Sequence, residues 1–198
     1  LAKKKGAIVY GFDVRAAAKE QVESVGAKFL EVDYKEDGSG AGGYAKEMSK
    51  EWFAAADQML LNELKNIDVV ITTALIPGRR APVLIKKNMV EAMPRGGVVV
   101  DLAAASGGNV ETTVPGQVIN HNGVTCVGYT NMESRMASTA SSLFGGNVTN
   151  FLLSMDDKET KKWKINLEDP AVRSICVAID GKELPPYVPP AAPTTAPK

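Results

Sequence analysis

Histidine is nearly absent. His121 is the only one in 198 residues, and cysteine occurs twice, at Cys126 and Cys176. A His/Cys metal cluster cannot be assembled from that inventory. Both cysteines sit in apolar β-like stretches, VTCVGY and SICVAI, and read as buried free thiols rather than a disulfide. His121 lies in INHNGVT, between two strand-like runs, and reads as a turn or surface histidine rather than a catalytic base. An excess of either charge is missing too: 23 basic side chains balance 23 acidic ones. That argues against a dedicated nucleic-acid binder, which carries a basic surplus. Long apolar runs are lacking; the longest, VVVDLAAA, is too short to span a bilayer and contains Asp101. The basic first residues are not followed by an apolar core, so no secretory leader is read there. No Ser/His/Asp set, no paired carboxylates at useful spacing and no nucleophile elbow can be found, so hydrolysis has no support.

One further absence is more informative. The segment GAIVYGFD reads as a short buried strand ending in an acid, Asp13. In a dinucleotide-binding fold an acid at such a strand end accepts the ribose hydroxyls, and it follows a G-x-G-x-x-G loop by about 20 residues. The twelve residues before Asp13 contain no such loop. AKKK followed by Gly6 reads as the end of a helix, with cations in the last turn and glycine after it. Domains rarely begin at the end of a helix, so an upstream segment is expected.

What is present alternates between strand and helix. AIVYGF, AKFLEV, DVVITTA and GGVVVDLA read as strands, and QVINHNGVTCVGYT as one or two more. VRAAAKEQVESVG reads as a helix with Asp13 at its N-cap. KEMSKEWFAAADQMLLNELKN reads as a helix with Trp52, Ala55, Met59, Leu60 and Leu64 at helical spacing. LIKKNMVEAM and MASTASSLFGGNVTNFLLSM read as two more, the last with two glycines inside it. Nearly continuous apolar strands alternating with helices indicate a parallel sheet covered on both faces. The expected fold is therefore α/β: a Rossmann-like parallel sheet lacking its first strand and glycine loop. From about Asp156 the character changes. KKWKINLED and RSICVAIDGKEL read as a β appendage with a turn at Asp180-Gly181, and PPYVPPAAPTTAPK as an extended Pro-rich tail. The expected division is a partial nucleotide-binding domain over 1–150, a return segment over 151–183 and a linker over 184–198.

In such folds ligands gather at the C-terminal ends of the strands. Four ends here carry polar or glycine-rich turns: FDVR, TTALIPG, VDLAAASGGN and GYTNMESR. A carboxylate at Asp13 suits two ribose hydroxyls and repels a 2′-phosphate, which points to NAD(H) rather than NADP(H); a plain helix cap accounts for it equally well. Val14 and Arg15 follow it; Arg15 either lies over the adenine or faces solvent. In GSGAGGYAKEM, glycines around Tyr44 suit a flap that closes on a ligand, or a plain surface loop. Thr73, Ala74 and Leu75 open a turn that either flanks a nicotinamide or simply joins strand to helix. Arg79 and Arg80 read as solvated. Asp101, with Gly107, Gly108 and Asn109 after it, either hydrogen-bonds a ligand or orients its own loop. A site of backbone, glycine and one ribose acid fits a redox cofactor, which carries the chemistry itself.

Taken in order, GFDVRAAAKEQVESVGAKFLEVD, GGYAKEMSKE, ITTALIPGRRAPVLI, VVVDLAAASGGNVETT and GYTNMESRMASTASSLF resemble the NAD(H)-binding first domain of proton-translocating nicotinamide nucleotide transhydrogenase, over roughly residues 1 to 182. Alanine dehydrogenase is similar too. The resemblance implies that the glycine loop, the first strand and most of a second domain lie upstream. It implies that Asp13 is the ribose acid, that Val14 and Arg15 line the adenosine, and that Gly43 and Tyr44 belong to a loop that closes on the nucleotide. Ala74 and Leu75 would pack near the nicotinamide; the strand-end reading adds Thr73, Asp101 and Asn109 to the expected cofactor site. The implied partners are an NADP(H)-binding domain, a membrane domain and a second copy in a homodimer, with no nucleic acid. The implied location is the matrix face of the mitochondrial inner membrane or the cytoplasmic face of a bacterial one. Relatives of the alanine dehydrogenase type carry a catalytic acid four residues after the aspartate of D-L-A; here that position is Ala105. No residue of this chain is then expected to act as acid or base, and no metal is expected. Two alternatives remain: an alanine dehydrogenase-type oxidoreductase, and a non-catalytic NAD(H)-binding module.

Overall fold

In the computed structural model, residues 1–36, 38, 48–76, 78–157 and 162–188 are described. The chain divides into two compact units, Leu1–Met132 and Glu133–Lys198.

The first unit opens with a 3-10 turn, Lys3–Lys5, closed by Gly6 at φ 89°. Strand β1 (Tyr10–Gly11) pairs in parallel with β2 (Lys28–Phe29) across helix α1 (Ala18–Ser24). Helix α1 starts later than the sequence suggests. Its N-cap is Ala17, without a side-chain cap, and Asp13 lies outside the helix in a turn of its own. Helix α2 (Lys50–Glu63) is capped by Ser49, whose hydroxyl accepts the Trp52 N–H, a contact worth about 1 kcal/mol. Its buried stripe is Trp52, Ala56 and Leu60, continued by Leu64 in the following 3-10 turn, so Ala56 takes the place expected for Ala55.

Strands β3 (Val69–Thr72), β4 (Val98–Asp101), β5 (Val118–His121) and β6 (Val124–Val127) form one sheet in the order β3-β4-β6-β5. The first three run parallel and β5 is antiparallel to β6. The β5–β6 hairpin turns at Asn122-Gly123, with φ of 52° and 86°. Two positive φ values match the twist of the flanking strands, and Asn-Gly is the pair that adopts them readily. Val99, Val124 and Cys126 share one buried cluster with Leu60 and Leu64 and with Met89, Val90 and Met93 of helix α3 (Lys87–Ala92) and its exit. Helices α2 and α3 therefore cover one face of the sheet. On the other face Val69 and Ile71 stay 54% and 63% exposed within this unit. A fully buried β3 was expected; an apolar run cannot by itself tell one covered face from two. A second cluster of Met48, Trp52 and Ala56 receives Phe12, which also packs on the first, and the Phe12 and Trp52 rings stack at 6.0 Å.

Short helix α4 (Met132–Arg135) marks the boundary between the units. The second unit holds helix α5 (Ala137–Ser154), the antiparallel pair β7 (Asp156–Asp157) and β8 (Lys162–Trp163), helix α6 (Pro170–Ile175) and the hairpin β9 (Ala178–Ile179) and β10 (Lys182–Glu183). The β hairpin turns at Asp180-Gly181 as the sequence suggests. Residues 170–175, whose RSI was read as strand, are helical. Asp169 caps them by accepting the Ala171 N–H at 2.8 Å, and Pro170 occupies the first turn, where a missing N–H costs nothing. Cys126 is buried; Cys176 is only half-buried, and both are free. No described helix is long and apolar enough to cross a membrane.

Candidate functional site

The parallel register of β3 and β4 sets Thr72 directly opposite Asp101, so the two strands end side by side. From there the backbone leaves into two loops that are knitted together. Asp101 is 1% exposed. One carboxylate oxygen accepts the Thr72 hydroxyl at 3.2 Å and the Ala103 N–H at 3.0 Å. The other accepts the Asn109 N–H at 2.8 Å, the Val110 N–H at 3.1 Å and the Thr113 hydroxyl at 2.7 Å. Five donors thus converge on one acid. Gly108, at φ 79°, lets the backbone wrap it: a Cβ there would stand 2.7 Å from the Asp101 oxygen.

Asn109 is fully buried. Its carboxamide oxygen accepts the Ala74 N–H at 2.9 Å, and its nitrogen donates to the Ala74 and Pro82 carbonyls at 2.9 and 2.8 Å. Thr73, Leu75 and Ile76 are exposed, Ala74 is half-buried, and Arg79 and Arg80 are solvated as expected. Position 105 is an exposed alanine and carries no acid.

At the exit of β1, Asp13 is bracketed by its near neighbour. One oxygen accepts the Arg15 backbone N–H and Nε, both at 2.9 Å, and the other accepts the guanidinium Nη2 at 2.7 Å. The Arg15 side-chain hydrogen bond holds the Asp13 carboxyl below its ordinary range, against partial burial that pushes it up. The same pair raises Arg15 further above its usual value. With its side chain 28% exposed, Asp13 is a charged acceptor within reach of a ligand. Val14 beside it accepts the Gly38 N–H at 3.0 Å. Gly43 and Tyr44 lie outside the described residues; on either side of that stretch, Glu36 and Ser49 are tied to each other. Glu36 accepts the Ser49 hydroxyl at 2.5 Å, and the Ser49 N–H also points to that carboxylate.

Sequence reasoning singled out Asp13, Arg15, Ala74, Asp101 and Asn109, and the structure joins the last three into one network. It quoted Thr72 and Gly38 only as members of TTALIPG and GSGAGGYAKEM, without the contacts they make, and it missed Thr113 and the Glu36–Ser49 tie. Ser49 was findable as an N-cap before an apolar-periodic run; Thr113 carried no signal. Among the described residues no group of His, Cys, Asp and Glu converges as a metal site needs, and His121 instead pairs with Glu91 at 3.0 Å.

A family profile for the C-terminal domain of alanine dehydrogenase/PNT matches residues 1–185. The chain is 46% identical over 182 residues to NAD(P) transhydrogenase subunit alpha of Haemophilus influenzae, covering 91% of this chain and 36% of that protein. It is 47% identical over 180 residues to NAD(P) transhydrogenase subunit alpha of Cereibacter sphaeroides, covering 89% and 34% respectively. The crystal structure of transhydrogenase from Sinorhizobium meliloti superimposes with a TM-score of 0.69 at 37% identity, covering 92% of this chain and 47% of that one. The chain spans less than half the length of these relatives. With its α/β fold and strand-end site, it belongs to the alanine dehydrogenase/PNT C-terminal domain family.

Proposed function

We propose that this chain is the NAD(H)-binding part of a proton-translocating transhydrogenase, and that it holds NADH for direct hydride transfer to NADP⁺ on another domain. The observation that carries the reading is Asp13, a partly exposed carboxylate at the exit of a parallel strand, kept charged by Arg15. Its two oxygens suit the 2′ and 3′ hydroxyls of an adenosine ribose, and its charge opposes a 2′-phosphate. The exposed apolar Leu75 and Ile76 suit the flat face of a nicotinamide. The residues present therefore fit NAD(H). When bound, the nucleotide supplies the hydride, and the chain supplies position.

The named relatives support the same reading, being transhydrogenase alpha subunits. Val14 and Arg15 would line the adenosine, Gly43 and Tyr44 would close over the nucleotide, and Thr73, Ala74 and Leu75 would meet the nicotinamide end. Asp101 and Asn109 would serve the same site through the loops they hold. On this reading residues 1–150 bind the nucleotide, 151–183 return to a second domain and 184–198 lead towards a membrane part. The assembly would be a homodimer at the matrix or cytoplasmic face of the membrane. An alanine dehydrogenase-type reaction needs an acid–base group near the substrate; Ala105 offers none, and Asp101 is enclosed by five donors.

The test is to supply the intact protein with its NADP(H)-binding partner and 4-deuterated NADH. Deuterium appearing in NADPH, without loss to solvent, is expected. Reduction of NAD⁺ by L-alanine, or nucleotide binding without any exchange, would overturn the reading.

A further inference from the structure

We propose that Asn109 is a positioning residue, which fixes the shape of the loop after β3 so that it receives the nicotinamide end of the nucleotide; this rests on the NAD(H) reading above. Asn109 has no polar group left for a ligand. Its side chain takes both the N–H and the C=O of Ala74 and also the Pro82 carbonyl. Its backbone N–H goes to Asp101, and its backbone C=O accepts the N–H groups of Leu84 at 2.8 Å and Ile85 at 3.0 Å. One buried residue therefore staples the loop at Ala74, at Pro82 and at the start of the segment leading to α3.

The chemistry requires asparagine. The niche needs one acceptor and two donors on a single planar group. Aspartate offers no donor to the two carbonyls, leucine offers neither function, and glutamine is one methylene too long for a buried site. Asp101 acts one step further back. It holds the Asn109 N–H, and so sets where the carboxamide points. Next to the Ala74 backbone that the staple holds stand Leu75 and Ile76, whose apolar side chains are exposed. A loop fixed before the ligand arrives lowers the ordering cost of binding. That gain falls on the nicotinamide and not on the adenosine, which Asp13 holds from β1.

The experiment compares NADH with ADP-ribose, which keeps the adenosine and diphosphate but lacks the nicotinamide. Affinities are measured by calorimetry on the intact protein carrying Asn109→Ala. The expected result is about a tenfold loss for NADH, with ADP-ribose within about twofold of wild type. Equal losses for both, or no loss for either, would overturn the proposal. If wild type binds neither compound, the NAD(H) reading falls first and the proposal with it. If Asn109→Ala does not fold, Asn109→Ser is used, since serine keeps a hydroxyl in the niche but cannot bridge Ala74 and Pro82. Failure of both variants to reach a native circular dichroism spectrum would make the role one of folding and overturn the positioning claim.

Discussion

Replacing Asp101 by asparagine tests the network at the end of β4 most sharply. The change is nearly isosteric, so packing is preserved and only hydrogen bonding is altered. One of the two oxygens becomes an NH₂ group facing donors. On one side it would meet the N–H groups of Asn109 and Val110 and the Thr113 hydroxyl. On the other it would meet the Thr72 hydroxyl, which can rotate to accept, and the Ala103 N–H, which cannot. The second arrangement is cheaper and leaves one backbone N–H unsatisfied, at about 1–3 kcal/mol. The remaining bonds also lose their charge assistance, roughly halving bonds of about 1.5–3 kcal/mol each. Losing the buried charge itself offsets part of this. The net expectation is a destabilisation of about 2–4 kcal/mol, read as a lower urea midpoint at unchanged m-value. Asp101→Ala leaves three buried N–H groups without an acceptor, and a marginal stability of about 5–15 kcal/mol leaves little margin for that loss. A change below about 0.5 kcal/mol for Asp101→Asn would refute the reasoning, because it would mean that the five donors do not depend on the carboxylate.

Asp13 has a folded value below its unfolded one, so its contribution to stability is present above the ordinary carboxylate range near about 4 and is lost as pH falls through the depressed value. NADH affinity should accordingly stay flat between pH 8 and pH 5 as far as Asp13 is concerned, about one unit clear of that range; a step there that Asp13→Asn abolishes would contradict the assignment. Gly38→Ala places a Cβ 2.5 Å from the Val14 carbonyl oxygen and 2.9 Å from the Met48 sulfur. It should destabilise the protein by about 1–3 kcal/mol in urea unfolding, and an unchanged midpoint would show that the β1 exit yields freely. Cys176 should react with a disulfide reagent such as Ellman's in the native protein while buried Cys126 reacts only after unfolding, a difference that reaction stoichiometry with and without urea would reveal.

Local chemistry was legible in the sequence, and the long-range network was not. The Asp180-Gly181 turn could be read because positive φ restricts residue choice sharply; the same signal at Asn122-Gly123 went unread within QVINHNGVTCVGYT, which reads only as one or two strands. Helix α2 could be read because its apolar spacing extends over four turns. The start of α1 could not, since an aspartate before an alanine run serves a turn as well as a cap, and Arg15 decided for the turn. In 170–175 the strand-like SICVAI obscured the stronger local signal of Asp-Pro. Asp101 was visible as an acid at a strand end. That Asn109 would reach Ala74, 35 residues away, follows only from the parallel pairing of β3 with β4. Composition cannot report a pairing of that range.

On the proposed function, this chain receives NAD(H) through Asp13. A fluorescence titration of the intact protein with NADH, and separately with NADPH, tests it most directly, run beside Asp13→Ala. The expected result is saturable binding of NADH, much weaker binding of NADPH, and a loss of that preference in the variant. A preference for NADPH, or a preference for NADH that survives removal of the Asp13 carboxylate, would contradict it.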